Sequence, residues 1–492
     1  MSKNVISELL ANRTDDSVIF QGSERTWHAA AVRQEVDQLT DRLAGTRVLA
    51  VLADNSPAWA IADFAALQSG VVHLPLPAFF SPAQMRHALE QTAADTVLTD
   101  QPERIGALDI GFAITGSWQG LTWMRRLVPA ADLPAGTAKV SFTSGSTGAP
   151  KGVCLSADGL FETARALTER LFDLPLQRHL AVLPLGLLLE NVAGLYAPLW
   201  RAMPIHLPPL RELGWQGMAG FDPAALNAAV NTKKPGSLIL VPELLKAWSL
   251  YLAATGNRPD AALSYVAVGG ARVDPALLAQ ARQLGIPAYQ GYGLTECGSV
   301  VSLNRPGDDA DDVGRPLGHA EIRIEDGEVT AKTRAFLGYA GTTEDASGIE
   351  FPTGDLGELT PDGHLRLAGR RKNLIITSFG RNISPEWVES VLLAQPAIAQ
   401  AIVTGDSQPT LTAVLVALPG VPEAALGAAV AAANAQLPDY ARIGHWLSSP
   451  PFSPQNGMAT GNGRPVRSAI INHFAADIAA LYHAEESRHV VL

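Results

Sequence analysis

The feature that most constrains this chain is an alternation of short apolar runs with stretches of helical spacing. Val48-Leu-Ala-Val-Leu52 fits a buried strand, and Pro57 to Gly70 places apolar residues at helical intervals. Val71-Val-His-Leu-Pro-Leu76 and Thr96-Val-Leu-Thr follow after further helical sequence. The pattern resumes at Val140-Ser-Phe, Ser237 to Val241, Ser264 to Val268 and Ile286 to Tyr289. Strand and helix in turn predict an α/β fold with layered, mostly parallel sheets. Each of the later strands runs into Gly-rich or polar sequence, the kind that lines a ligand crevice at strand ends.

The texture changes near Gly314. Glu321 to Thr333 alternates as antiparallel strands do, with turns expected at Asp326-Gly327 and Thr360-Pro-Asp-Gly-His. A small β-subdomain is expected over about 314–371. Gly369-Arg-Arg-Lys-Asn373 is a charged break, followed by a strand at Leu374-Ile-Ile-Thr and a helix capped by Ser384 with Pro385 in its first turn. Strands are expected at Ile398 to Thr404 and Leu411 to Ala417, and an Ala-rich helix at Glu423 to Gln436. The division is therefore a large domain over 1–371 and a small α+β C-terminal domain over 372–492. A length of 492 residues, at roughly 150 per domain, gives a prior near three domains, or two with one large.

The charge balance is 37 Lys+Arg against 48 Asp+Glu, a net of -11. This argues against a general nucleic-acid or anionic-membrane partner, so an anionic ligand must be held by local groups. Cys154 and Cys297 lie singly in Gly-rich segments, which implies neither a disulfide scaffold nor a zinc site. The N-terminus has charge where a signal peptide needs apolar residues, and no run of eighteen apolar residues is uninterrupted. A soluble, cytoplasmic protein without a transmembrane segment is expected.

The strongest chemical feature is Val140-Ser-Phe-Thr-Ser-Gly-Ser-Thr-Gly-Ala-Pro-Lys-Gly152. Backbone N–H groups and hydroxyls over Thr143, Ser144, Gly145, Ser146, Thr147 and Gly148 can cradle an anion, with Lys151 adding a point charge. It is not a Walker loop: Pro150 stands where that motif has glycine, and Gly152 replaces the Ser/Thr that would hold magnesium.

This segment closely resembles the phosphate-binding signature of the AMP-forming adenylating superfamily of acyl- and aryl-CoA synthetases, adenylation domains and luciferases. Further elements of that superfamily follow in order, across roughly Ser17 to Arg467. Tyr289-Gln-Gly-Tyr-Gly-Leu-Thr-Glu296 resembles its Tyr-Gly-x-Thr-Glu element, including Tyr292 and Gly293. The resemblance implies that Thr295 contacts the α-phosphate and that Glu296 helps hold Mg²⁺, a metal suited to hard oxygen ligands. Gly269, Gly270 and Ala271 match the segment beside the adenine. Asp355, in Thr353-Gly-Asp-Leu-Gly357, matches the ribose-binding element, and Arg370 the nucleotide-contacting arginine. Lys372 falls at the hinge about which the small domain is expected to rotate between adenylation and thioester formation. Gly380 then faces the thiol tunnel in the second pose.

Two departures stand out. Thr460-Gly-Asn-Gly-Arg-Pro-Val-Arg467 places Arg464 where the superfamily usually has lysine. Charge is kept, but a planar fork is not a compact ammonium. Leu187, in Leu183-Pro-Leu-Gly-Leu-Leu-Leu-Glu190, stands where relatives often carry a His or aromatic residue. This segment is read as a helix, and its leucines (185, 187, 188 and 189) either line an apolar acyl pocket or simply pack the core.

The closest likeness is to medium- or long-chain fatty acyl-CoA synthetases. It implies ATP-dependent activation of a carboxylic acid to acyl-AMP, with Thr295, Glu296, Lys151 and Arg464 as catalytic residues, and transfer to CoA. Two alternatives stay open: a ligase loading a carrier-protein phosphopantetheine, and an impaired nucleotide- or acyl-binding homologue.

Overall fold

A computed structural model describes residues 5–143, 150–217, 220–308, 310–342, 346–461 and 463–489, without the side chains of 483–489. The expected strands form, and they fall into two large sheets. In one, the parallel strands Val48–Leu52, Val72–Pro75, Thr96–Thr99 and Thr137–Thr143 are flanked by antiparallel edges. In the other, Val18–Gln21, Ile205–His206, His179–Leu180, Ser237–Leu240, Tyr265–Val268 and Ala288–Tyr292 run parallel in that spatial order.

The largest core lies between the sheets, joining Leu49, Val51 and Leu155 of one to Phe20, Ile205 and Tyr265 of the other. Helices Pro57–Ser69 and Ala157–Arg170 contribute to this layer. Helix Pro57–Ser69 is buried on every side from Pro57 to Leu67. A helix that is apolar all round has no face for water and belongs inside such a layer. It starts at the Ser56 cap with Pro57 in the first turn and stops at Gly70 in a left-handed conformation.

The one charge on that helix, Asp63, is fully buried and fully partnered. It accepts from His73 Nδ1 at 2.5 Å, Lys139 Nζ at 2.9 Å, Tyr196 Oη at 2.6 Å and Asn191 Nδ2 at 2.9 Å. Burial by itself would raise this carboxyl, but Lys139 and His73 hold it below the usual carboxylate range.

Strands Glu321–Glu325, Glu328–Lys332, Phe351–Leu359 and Leu365–Arg370 form the small antiparallel sheet, turning at Asp326-Gly327 as expected. The stretch is not all one subdomain, however. Phe336–Tyr339 leaves it to pair antiparallel with Lys151–Ser156 at the edge of a large sheet. Beyond Arg370 come a short hairpin, Ile375–Ile376 with Asn382–Ile383, helix Pro385–Leu393 and the sheet Ile398–Thr404, Leu411–Ala417, Ile443–Ser448. The strand expected at Leu374–Thr377 thus shrinks to two residues, because Ser378 to Arg381 turn back at once. Two α/β sheets layered around helices, a β-subdomain and a small α+β unit are the fold class that the sequence predicts.

Candidate active site

Lys151 opens strand Lys151–Ser156, which runs back antiparallel to Thr137–Thr143 with Thr143 opposite Lys151. The strands on either side of the Gly-rich segment are therefore antiparallel partners, and the next helix begins only at Ala157. Ser144, Gly145, Ser146, Thr147 and Gly148 lie outside the described residues. Lys151 is exposed, and its ammonium sits 5.5 Å from the centroid of the Tyr339 ring.

The Tyr339 hydroxyl in turn donates to Glu296 Oε1 at 3.1 Å. Burial and the Glu296 charge push this phenol up to about 12, so it remains a donor at neutral pH. Tyr339 was not anticipated from sequence. Its segment, Phe336-Leu-Gly-Tyr, reads as plain strand, and the partner strand that aims it lies some 180 residues upstream.

Thr295 and Glu296 sit in a single 3₁₀ turn, Thr295–Cys297, just past strand Ala288–Tyr292, and both are half-buried. Gly293 makes the turn possible: a Cβ there would lie 1.7 Å from the Ser299 carbonyl oxygen. Tyr292, at the end of the strand, donates to Asp355 Oδ2 at 2.5 Å. Asp355 Oδ1 pairs with Arg370 Nε at 2.7 Å. Burial raises the Asp355 carboxyl, against the pull of Arg370 and the Tyr292 hydroxyl. Oδ2 thus accepts from Tyr292 while Oδ1 faces the Arg370 guanidinium, and a carboxylate's several acceptor sites leave room for further donors.

Gly269, Gly270 and Ala271 follow strand Tyr265–Val268, the parallel neighbour of the strand bearing Tyr292. A methyl at Gly269 would meet only ordinary contacts, Leu189 at 3.6 Å and the Gly291 carbonyl at 3.8 Å. Protein packing alone does not demand glycine here. Gly270 is held at φ 93, a left-handed conformation suited to glycine. Its carbonyl accepts from Arg464 Nη2 at 3.1 Å, which brings the C-terminal loop onto the large unit.

The contacts thus form three groups: Thr143 opposite Lys151, whose ammonium faces Tyr339 and through it Glu296 in the Thr295 turn; Gly270 with Arg464; and Tyr292 with Asp355, which pairs with Arg370. Lys372 lies in the turn Arg371–Asn373 that follows Arg370, exposed, while Arg371 pairs with Glu328 at 2.9 Å. Gly380 is elsewhere, on an exposed turn closed by its own N–H to Thr377 O at 2.8 Å.

The leucine segment is a correction. Residues 183–187 are loop and turn, helix begins only at Leu188, and a π-helical stretch, Glu190–Tyr196, follows. Glu190 shapes this: its carboxylate takes the Leu183 N–H at 3.0 Å and pairs with His179 Nε2 at 2.9 Å, pulling the chain back on itself. Leu185 and Leu188 are core, whereas Leu187 and Leu189 are only partly buried.

Among the described residues, no group of three or more His, Cys, Asp or Glu side chains could hold a metal ion. Glu296 fits a Mg²⁺ that arrives already carried by phosphates, since this ion keeps several waters and needs few protein carboxylates. Both cysteines are free and buried. No helix among the described residues is long and apolar enough to cross a membrane.

The AMP-binding enzyme family matches residues 8–334, and the AMP-binding enzyme C-terminal domain matches residues 372–486. A long-chain-fatty-acid–CoA ligase of Mycobacterium bovis is 28% identical, over 90% of this chain and 89% of its own. A 2-succinylbenzoate–CoA ligase of Salmonella typhimurium is 29% identical, over 82% of each chain. Among solved structures, an anthranilate CoA ligase in complex with anthranoyl-AMP superposes with a TM-score of 0.78 at 19% identity, over 98% of both chains. That last likeness speaks for the fold. The chain belongs to the AMP-binding enzyme family, as an AMP-forming acid–thiol ligase.

Proposed function

We propose that this enzyme joins an apolar carboxylic acid, a medium- or long-chain fatty acid, to ATP and then passes the acyl group to CoA. The acid's carboxylate attacks the α-phosphorus and pyrophosphate leaves. The CoA thiol then attacks the acyl carbon of acyl-AMP, losing its proton as the bond to AMP breaks. The observation that carries this reading is the pair of contact chains Lys151–Tyr339–Glu296 and Tyr292–Asp355–Arg370, with Arg464 at Gly270.

A carboxylate is already a nucleophile at neutral pH, so the site has mainly to align reactants and compensate charge developing on the α-phosphate. Thr143 and the loop after it hold the triphosphate, with Lys151 and Arg464 as cations and Thr295 as a hydroxyl donor to the α-phosphate. Glu296, steadied by Tyr339, would hold Mg²⁺, which supplies charge neutralisation on the leaving group. Asp355 accepts the ribose hydroxyls on its remaining acceptor sites, and the adenine lies along Gly269, Gly270 and Ala271. The acyl chain meets Leu187 and Leu189, the two leucines of their segment left partly exposed. We place the hinge at Lys372, between 1–371 and 372–492.

The test is pyrophosphate release over a panel of aliphatic and aromatic acids, with and without CoA. Release that depends on an aliphatic acid, with CoA converting a burst into turnover, supports the reading. Release with aromatic acids alone sinks the fatty substrate, and none with any acid sinks the activity.

A further inference from the structure

Lys246 lies on helix Pro242–Thr255 of the large unit, and its ammonium reaches across to the small one. It donates to the carbonyls of Leu393 at 2.6 Å, Gln395 at 2.7 Å and Ile398 at 2.5 Å. An ammonium has three protons, and all three are used. Leu393 ends helix Pro385–Leu393, where last-turn carbonyls lack partners within the helix and the helix dipole favours a cation; Gln395 lies just past it, and Ile398 opens the next strand. Ala394, in the same turn, packs against the core of the large unit. The helix bearing Lys246 starts directly after Val241, whose side chain lies 3.7 Å from the space above Gly270, the residue that Arg464 reaches.

We propose that Lys246 is a positioning residue for the first half-reaction: it fastens the small unit in the pose that brings Arg464 to the Gly269-Gly270 segment. A rotation that carries the small unit to a second pose must break all three bonds. Lys246 therefore favours acyl-adenylate formation and has no part in thioester formation. The inference rests on the two-step reaction proposed above.

The experiment compares K246M and K246R with the wild-type enzyme in separate half-reactions. Removing several charge-assisted hydrogen bonds is expected to lower pyrophosphate release by K246M about 10-fold. Thioester formation from supplied acyl-adenylate and CoA should stay at the wild-type rate or rise, and K246R, which still donates to carbonyls, should recover most of the loss. Unchanged pyrophosphate release in K246M, or an equal fall in both half-reactions, overturns the inference.

A second readout needs no catalysis. Dyes on E24C and E423C, both exposed positions in a chain whose native cysteines are buried, report the distance between the units. The distribution should be narrow in the parent and broadened in K246M. If it is unchanged, Lys246 holds nothing. A parent enzyme silent with every acid would instead count against the proposed reaction, and the dye distances would still decide the role of Lys246.

Discussion

At the scale of single residues, the hydroxyl of Tyr339 is the most informative atom. It touches only Glu296 among the proposed catalytic groups, while the ring lies under Lys151. Tyr339→Phe therefore removes one hydrogen bond to a charged acceptor and keeps the shape. Such a bond is worth roughly 1.5–3 kcal/mol, so pyrophosphate release should fall by ~10–10²-fold, most steeply when Mg²⁺ is limiting. Glu296→Ala, which removes the carboxylate itself, should cost ~10²–10³. A Y339F rate within about twofold of the parent would show that Glu296 needs no steadying.

At the scale of elements, the turn after strand Ala288–Tyr292 is the most fragile part of the site. In Gly293→Ala the new methyl would fall on a backbone carbonyl, which cannot rotate aside, so the turn bearing Thr295 and Glu296 must move. A displacement of this kind near 1 Å can cost ~10²-fold in rate. The expected result is a G293A enzyme that stays folded by circular dichroism but loses about that much pyrophosphate release. The strand before this turn was legible because it is a short apolar run ending in glycine and polar residues. Hairpins such as Ala113–Trp118 with Leu121–Arg125 were not, since Gly116 and polar residues dilute their alternation. Nor was the sheet partner of Phe336–Tyr339, because pairing between distant segments leaves no local trace. Lys246 was hidden for the same reason, reading as an ordinary helix-surface lysine.

The small unit carries its own buried pair. Glu389 on helix Pro385–Leu393 binds Arg467 through both oxygens, at 2.6 and 2.8 Å, and takes the Val403 N–H at 2.7 Å. Burial outweighs these partners and pushes the carboxyl up to about 7. A glutamate raised above its unfolded value contributes stability that is fully present below about 4.3 and is lost as pH rises through the folded value. The melting of the small unit should therefore shift to lower temperature between acidic and mildly alkaline pH. Glu389→Gln, which cannot titrate, should flatten that slope, and a slope left unchanged by the substitution would move its origin elsewhere.

At the scale of the whole molecule, two cations on opposite partners join the units near the nucleotide segment. Arg464 extends from the small unit to Gly270, and Lys246 from the large unit to the end of helix Pro385–Leu393. If Lys246 acts only by holding the pose that delivers Arg464, the two substitutions must not add. Residues in contact or in one network show such coupling, whereas independent sites add to within about 0.5 kcal/mol. R464A should lose ~10²-fold in pyrophosphate release as a cation is withdrawn from the reacting phosphate. The double variant K246M/R464A should lose no more than R464A, because the pose has nothing left to deliver. R464K should retain most of the parent rate, since a lysine keeps the charge. Full additivity in the double variant would mean that Lys246 serves the reaction by a route other than Arg464, and the clamp would then have to be sought in the nucleotide segment itself.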